Sequence, residues 1–224
     1  MEELFYIHRA VLPSLMQGLW VSILLILPSA VCGLCLGVVA GTLRVYGSRA
    51  TKILMQAYVS VFRGFPLIIQ LYIWYFGLAR IGLFLSPFAA SVLGFSLCSA
   101  AYHSEYIRGA LLSIRYGQTA AAQALGFTCF QTIRYIILPQ AMRRAMPGCG
   151  NEIVYLIKYS SLAYMVTCIE LTGKGKILAS ASFKYIEVFM IVGAIYLLLV
   201  SLASFLLNRL EARWVVPGFE RYKS

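Results

Sequence analysis

The chain has 224 residues, 61% of them apolar, a mean hydropathy of +0.81 and a net charge of +11. That is too oily for an ordinary soluble domain of this length and places the chain in a membrane. The positive charge suits the inner face of an anionic bilayer, and no basic–aromatic interleaving points to nucleic acid.

Three stretches contain no charged residue, namely 10–43, 81–104 and 188–208. Each exceeds the ~20 residues that a helix needs to cross a bilayer. Two further spans carry isolated charges: 53–78, interrupted by Arg63, and a segment after Pro139. Five spans is the economical reading, in one membrane domain covering 1–224. The first stretch is too long for a signal-peptide core, and no clean small-x-small cleavage site follows it, so it reads as an uncleaved span.

Within that first span Gly33, Gly37 and Gly41 recur at four-residue spacing. Such a face lets helix backbones approach closely, within the chain or across a dimer. Cys32 and Cys35 form a CxxC but sit mid-span, where a redox or zinc pair lacks a polar second shell. The six cysteines read as small apolar packing residues.

Polar residues inside spans are expensive and therefore mark function by default. Arg63 is followed by Gly64, Phe65, Pro66 and Gln70. Glycine and proline there open the helix and free backbone groups, as near a transport gate. The alternative is that Arg63 snorkels to an interface.

A polar, cationic interruption covers 116–147 and divides into two short amphipathic helices around Gly126. A membrane protein has little reason to place such an element between spans unless another protein docks there. Beyond it lie Asn151, Glu152, Tyr155, Lys158, Tyr159, Ser160 and Ser161. The run from Leu138 to Thr172 is too long for one straight span, and Pro147-Gly148 with Gly150 offer a break. Glu152, Tyr155 and Tyr159 then share a helical face. Glu152 could meet an amine while Lys158 or Arg63 neutralises a carboxylate, a set that suits a zwitterionic solute. The alternative is an internal Glu152–Lys158 or Glu152–Arg63 pair that holds helices in register.

Catalytic chemistry is poorly supplied. The chain has eight glutamates, no aspartate and two histidines, His8 and His103. No GxSxG, HExxH or dinucleotide loop occurs, and Gly173-Lys174-Gly175-Lys176 lacks the flanking residues of a phosphate loop. If ATP drives this protein, a different chain hydrolyses it, and no cofactor or metal is expected here.

Orientation follows from lysine and arginine placement. With the N-terminus outside, twelve of the nineteen basic residues fall on cytoplasmic segments (Arg44, Arg49, Lys52; Arg108, Arg115, Arg134, Arg143, Arg144; Arg209, Arg213, Arg221, Lys223). Arg9, Arg80, Lys174, Lys176 and Lys184 fall outside, and Arg63 and Lys158 lie within spans. The bias favours an N-out, C-in chain with 116–147 in the cytoplasm.

These segments resemble the membrane-spanning permease subunits of bacterial ABC importers for polar amino acids. FRGFPLIIQLYIWYFGL looks like the family's arginine-glycine-x-proline-leucine segment, and AYHSEYIRGALLSI like its AYxxExxRG segment. GQTAAAQALGF through YIILPQA matches the EAA loop: Ala120, Ala121 and Ala122, then Gly126, then Ile136, Leu138 and Pro139. GNEIVYLIKYSSLA and ELTGKGKILA complete the order, so the likeness runs from about Met16 to Val215.

The resemblance implies an all-α fold of the type I importer, multi-pass in the bacterial inner membrane. It implies coupling helices, with Leu125 and Phe127 among their contacts, docked in a cytoplasmic ATP-binding subunit that carries ATP and Mg. It implies a second permease chain, identical or paralogous, and an extracytoplasmic amino-acid-binding protein. Two residues depart from the pattern: Ala120 stands where a glutamate usually leads the motif, and Tyr159 where many members have aspartate. The second departure favours a neutral or acidic amino acid over a cationic one. The competing expectation, an ion-gradient-driven secondary transporter in which Glu152 titrates, leaves the docking loop without a role.

Overall fold

The computed structural model describes residues 11–214, and every regular element among them is a helix. The orientation evidence from Arg9, Arg221 and Lys223 and the remark on His8 lie outside the described residues. Helix α1 (Leu12–Tyr46) has 35 residues, about 52 Å at 1.5 Å per residue, longer than a bilayer core of ~30 Å. Next come α2 (Arg49–Gly64), capped by Ser48, and α3 (Leu67–Arg80), which contains a wide π turn at Ile73–Gly77. Helix α4 (Pro87–Leu112) begins where Ser86 Oγ accepts from the Ala89 N–H. The short α5 (Tyr116–Ala124) leads through Cys129–Gln131 and a π turn at Thr132–Ile137 into α6 (Leu138–Tyr159). A 3₁₀ segment (Ser160–Val166), α7 (Leu171–Ser182) and α8 (Tyr185–Arg213) complete the chain.

Among the described residues α1 and α8 alone are long and apolar enough to cross a membrane by themselves. The pairs Arg49–Gly64 with Leu67–Arg80 and Cys129–Val166 with Leu171–Ser182 qualify together, bent by 105° and 54°. Helix α4 has 26 residues but carries Ser91, Ser96, Ser99, His103 and Ser104 in the interior, which lowers its hydropathy without exposing polar groups.

Helix α1 is the spine, and α4 lies along it. A Cβ added at Gly33 would stand 3.0 Å from Ser99 Cβ, and one at Gly41 3.0 Å from the Ser104 carbonyl oxygen. One at Gly37 would run into His103 Cβ. The glycine repeat therefore serves packing inside the chain. Three apolar clusters succeed one another along this spine: Leu15 with Leu171, Val188 and Val192; Leu25 with Leu71, Phe95 and Leu156; and Ile107 with Leu111, Ile137 and Ala141. Helix α8 buries little, and Leu197, Leu198, Leu202, Phe205 and Leu206 all stand exposed, a surface that lipid tails solvate.

The expected span 53–78 is two helices. Pro66 has no N–H to donate and drives Phe65 into an extended conformation (ψ 135°), so α2 ends there. The Phe62 carbonyl, whose helical partner would be the residue-66 N–H, is left open. Gln70 Nε2 donates to it at 2.8 Å and to the Phe65 carbonyl at 2.9 Å. Gln70 is thus buried as the brace of the bend.

The expected break at Pro147–Gly150 does not occur, because α6 runs through it. Those glycines give room to neighbours instead: a Cβ at Gly148 would sit 2.7 Å from the Tyr106 ring, and one at Gly150 3.4 Å from Leu207. The chain turns later, at Thr167 (φ 62°), after the 3₁₀ segment.

Two outcomes follow for the purified protein in detergent. Gly37→Leu should destabilise it by about 1–3 kcal/mol through overpacking, whereas Gly193→Ala, with open space around it, should leave the melting temperature unchanged or raise it. Gln70→Met should cost about 1–3 kcal/mol by leaving buried carbonyls unpaired. Thermal unfolding followed by tryptophan fluorescence measures both.

Candidate functional site

The bend at Phe65–Pro66 opens a cavity of about 460 Å³. Arg63, Phe65 and Pro66 line it from the bend, Cys98 and Tyr102 from α4, Tyr159 from the end of α6 and Leu162 from the 3₁₀ segment. The Arg63 guanidinium lies 5.2 Å from the centroid of the Tyr102 ring, within reach of a cation–π contact. The structure thus joins two residues that the sequence singled out, Arg63 and Tyr159, and adds Tyr102.

The other expected pathway residues have different surroundings. Glu152 is buried, and its Oε1 has no hydrogen-bond partner. Tyr155 is exposed, stacks on Tyr159 with ring centroids 5.9 Å apart, and takes Lys158 Nζ over its face at 5.3 Å. Glu152, Tyr155 and Tyr159 therefore do not form one open face. Asn151 lies exposed on α6. Ser160 and Ser161 donate to the carbonyls of Ile157 and Lys158, so both hydroxyls bond the helix itself.

Neither internal pair expected for Glu152 forms: Arg63 Nη1 lies 3.1 Å from Glu105 Oε1, and Lys158 Nζ lies over the Tyr155 ring. Glu105 is the hub of the polar interior. Arg44 Nη2 donates to its Oε1 at 2.8 Å, and Arg108 Nη2 donates to its Oε2 at 3.0 Å. Arg44 is almost fully buried, with further bonds to Gln56 Oε1 (2.6 Å) and Ser104 Oγ (3.2 Å). One carboxylate so joins α1, α2 and α4. The only sequence signal for it was Glu105 and Arg108 at i and i+3 in AYHSEYIRG; Arg44 and Arg63 are far away along the chain.

A second carboxylate, Glu170, closes the opposite end of the spine. As N-cap of α7 it accepts from the Thr172 and Gly173 N–H groups (2.8 and 3.0 Å), and also from Ser22 Oγ and Tyr196 Oη. Among the described residues no three His, Cys, Asp or Glu side chains gather as metal ligands.

The segment 116–139 forms a braced projection. Helix α5 ends in a Schellman turn: Gly126 has φ +82°, its N–H donates to the Gln123 carbonyl and the Phe127 N–H to that of Ala122. Thr128 and Gln131 form a reciprocal capping box that starts the next helix. The π turn ahead of Pro139 makes room for a ring that would crowd the preceding helical turn. Ala122 is buried, whereas Ala120, Ala121, Leu125 and Pro139 are exposed, Leu125 at 78%. Phe127 is half-buried, and Phe130 stands out at 70%. Gln140 Nε2 donates to Gln118 Oε1 at 3.4 Å, which links the projection to α6, and Arg144 Nη1 donates to the Ser113 carbonyl at 2.7 Å, which joins α6 to the end of α4 at its base. No acidic residue stands in the first turn of α5, where Ala120 replaces the expected glutamate nearby.

This architecture is similar to that of solved transporters. A crystal structure of an amino acid ABC transporter with histidines matches with a TM-score of 0.82 at 31% identity, covering 90% of this chain and 94% of that one. An inward-facing MetNI methionine ABC transporter matches with a TM-score of 0.80 at 22% identity over 93% and 99%, a likeness of fold alone. A glutamine transport system permease protein of Escherichia coli (strain K12) is 36% identical over 208 residues, 90% of this chain and 93% of that protein. A nopaline transport system permease protein of Agrobacterium fabrum is 35% identical over 215 residues, 92% and 89% of the two chains. The model of the binding-protein-dependent transport system inner membrane component matches residues 33–216. From the glycine spine through the braced projection to the last helix, the chain belongs to that family of inner membrane transport components.

Proposed function

We propose that this chain is the permease subunit of an ATP-driven importer for a polar, neutral or acidic amino acid. It forms one membrane domain of five crossings, N-terminus outside and C-terminus in the cytoplasm: α1, the bent α2–α3 pair, α4, the bent α6–α7 pair, and α8. The bends let a crossing pass its break without exposing backbone, since Gln70 satisfies the freed carbonyls. The basic residues on α1's end, α2's start and 108–144 then face the anionic leaflet.

The observation that carries this reading is the braced projection at 116–139. It offers exposed Leu125 and Phe130 on a fixed turn, while Gln140 of α6 bonds Gln118 within it and Arg144 of α6 bonds Ser113 at the end of α4, at its base. A separate ATP-binding subunit docks on Ala120, Ala121, Ala122, Leu125, Gly126, Phe127 and Pro139, with ATP and Mg on that subunit. Its closure moves α4 and α6. A second permease chain, identical or paralogous, faces this one across a central path, and an extracytoplasmic binding protein delivers the amino acid. Arg63 takes the substrate carboxylate beside Tyr102 and Tyr159, and Glu152, the one acid on α6, takes its amine. Gln70, Ser160 and Ser161 shape the backbone around the pocket.

Co-expression with the cognate ATP-binding subunit tests the docking. Native chain should retain the ATPase through detergent purification and Gly126→Asp should lose it. Nothing lies within 4 Å of a Cβ at Gly126, but its φ of +82° strains any side chain there, so Leu125→Asp, at a residue 78% exposed, is the companion variant and should lose the ATPase as well. Equal retention by the native chain and both variants would overturn the docking assignment. In proteoliposomes holding the complete complex, Glu152→Gln should lower uptake of tritiated L-glutamine by at least about tenfold at unchanged protein abundance, the loss of one charged hydrogen bond. Uptake that falls only in step with abundance would return Glu152 to a structural role.

A further inference from the structure

Two cavities lie end to end along α2 and α4. The upper one is the pocket at Arg63 and Tyr102. The lower is an open groove of about 750 Å³ between the start of α2 and the end of α4, lined by Arg44, Lys52, Gln56, Glu105 and Arg108. On α2 the linings run Lys52, Gln56, Ser60 in the groove and then Arg63 in the pocket; on α4 they run Arg108, Glu105 in the groove and then Tyr102, Cys98 in the pocket. These are successive turns of the same helix faces. The cavities therefore meet at one level, where Arg63 of the pocket touches Glu105 of the groove at 3.1 Å. The groove lies toward the coupling projection, because α4 leads out of it through Ser113 into α5.

The three arginines on Glu105 are not equivalent. The side chains of Arg44, Arg108 and Arg63 are 4%, 38% and 43% exposed. Arg44 and Arg108 both hydrogen-bond the carboxylate, and Arg44 is fixed further by Gln56 and Ser104. Arg63 has a single approach, to an oxygen already accepting from Arg44. Removing Arg63 leaves Glu105 doubly paired, so this contact is the one that opens at least cost.

We propose that the Arg63–Glu105 ion pair is the inner gate of the transport path, opened when the carboxylate of the substrate takes Arg63 from Glu105. The proposal rests on the reading of the Arg63 pocket as the substrate site. Once the pair parts, the carboxylate faces a groove in which Arg44, Lys52 and Arg108 outnumber Glu105, an electrostatic slope toward the cytoplasm. Glu105 acts as a positioning residue: it holds Arg63 across the path when the pocket is empty. Because it sits on α4, which ends at the coupling projection, the state of the gate and the position of that projection are linked.

The test uses the complete complex in proteoliposomes, with its binding protein and tritiated L-glutamine as the probe. Arg63→Gln and Glu105→Gln both delete the ion pair. Each should raise ATP hydrolysis in the absence of substrate by about fivefold or more, the usual lower size of a coupling between sites. Arg63→Gln alone should also raise the L-glutamine concentration needed for half-maximal uptake. Glu105→Asp, which keeps the charge, should restore substrate-free hydrolysis toward the native rate, a rescue that loss of folding would not give. Unchanged substrate-free hydrolysis in Arg63→Gln with a raised half-saturation would overturn the gate and leave the pocket reading standing. Raised hydrolysis in both variants with unchanged half-saturation in Arg63→Gln would overturn the substrate-operated opening and the pocket reading together. If Glu105→Gln does not assemble, Arg63→Gln decides alone, since its exposed side chain leaves the other two pairs on Glu105 intact.

Discussion

The close approach of α1 and α4 is the constraint on which the polar interior depends. In lipid, helices gain little by hiding apolar surface from each other, so contact rests on packing and on hydrogen bonds. Gly33, Gly37 and Gly41 remove the side chains that would hold the backbones apart, and the last of them rests on Ser104 and Ile107. One turn further on, that approach sets Arg44 within 3.2 Å of Ser104 and 2.8 Å of Glu105. A wider seam would leave a buried guanidinium and a carboxylate without each other, and unpaired charges of that kind are strongly destabilising. The apolar seam and the charged hub are therefore one arrangement.

The second constraint is the bend after α2. A proline in the middle of a crossing forfeits a hydrogen bond and pushes its predecessor into an extended conformation. Between α2 and α3 that loss is compensated from within the chain. Gln70 satisfies the freed carbonyls, and the space vacated beside Pro66 becomes the pocket under Arg63 and Tyr102. Arg63 thereby stands at the frayed end of a helix, with its side chain half in the cavity and half on Glu105.

Much of this was legible in the sequence. The apolar runs, the opened helix at Gly64–Pro66, the glycine face and the polar interruption read at 116–147, whose last ten residues belong to α6, all follow from local rules of helix geometry. Three things were not. The partners of Glu105 sit on helices far apart in the chain, so nothing local distinguishes its pairing from the pairing expected at Glu152. Pro147 and Gly148 read as a break, yet Gly148 is small because the Tyr106 ring lies against it, a reason that exists only after packing. Glu152, Tyr155 and Tyr159 share a helical spacing, but Tyr155 stands exposed, stacked on Tyr159, while Glu152 is buried against the neighbouring helices, a difference set by packing around α6.

The arrangement also explains why the projection is braced at both ends. A loop that docks a separate motor transmits movement only if it is stiffer than the joint it drives. The Schellman turn at Gly126 and the capping box at Thr128 remove slack inside the projection, and Arg144 and Gln140 remove it at the attachments. From Ser113 upward α4 is an unbroken helix of 26 residues carrying Arg108, Glu105 and Tyr102 on successive turns. Under the proposed docking, a displacement at the projection is passed to Glu105 and the pocket wall along that one helix. The bend at Phe65–Pro66, held by Gln70, stands on the far side of the same cavity, so the two walls meet where Arg63 touches Glu105.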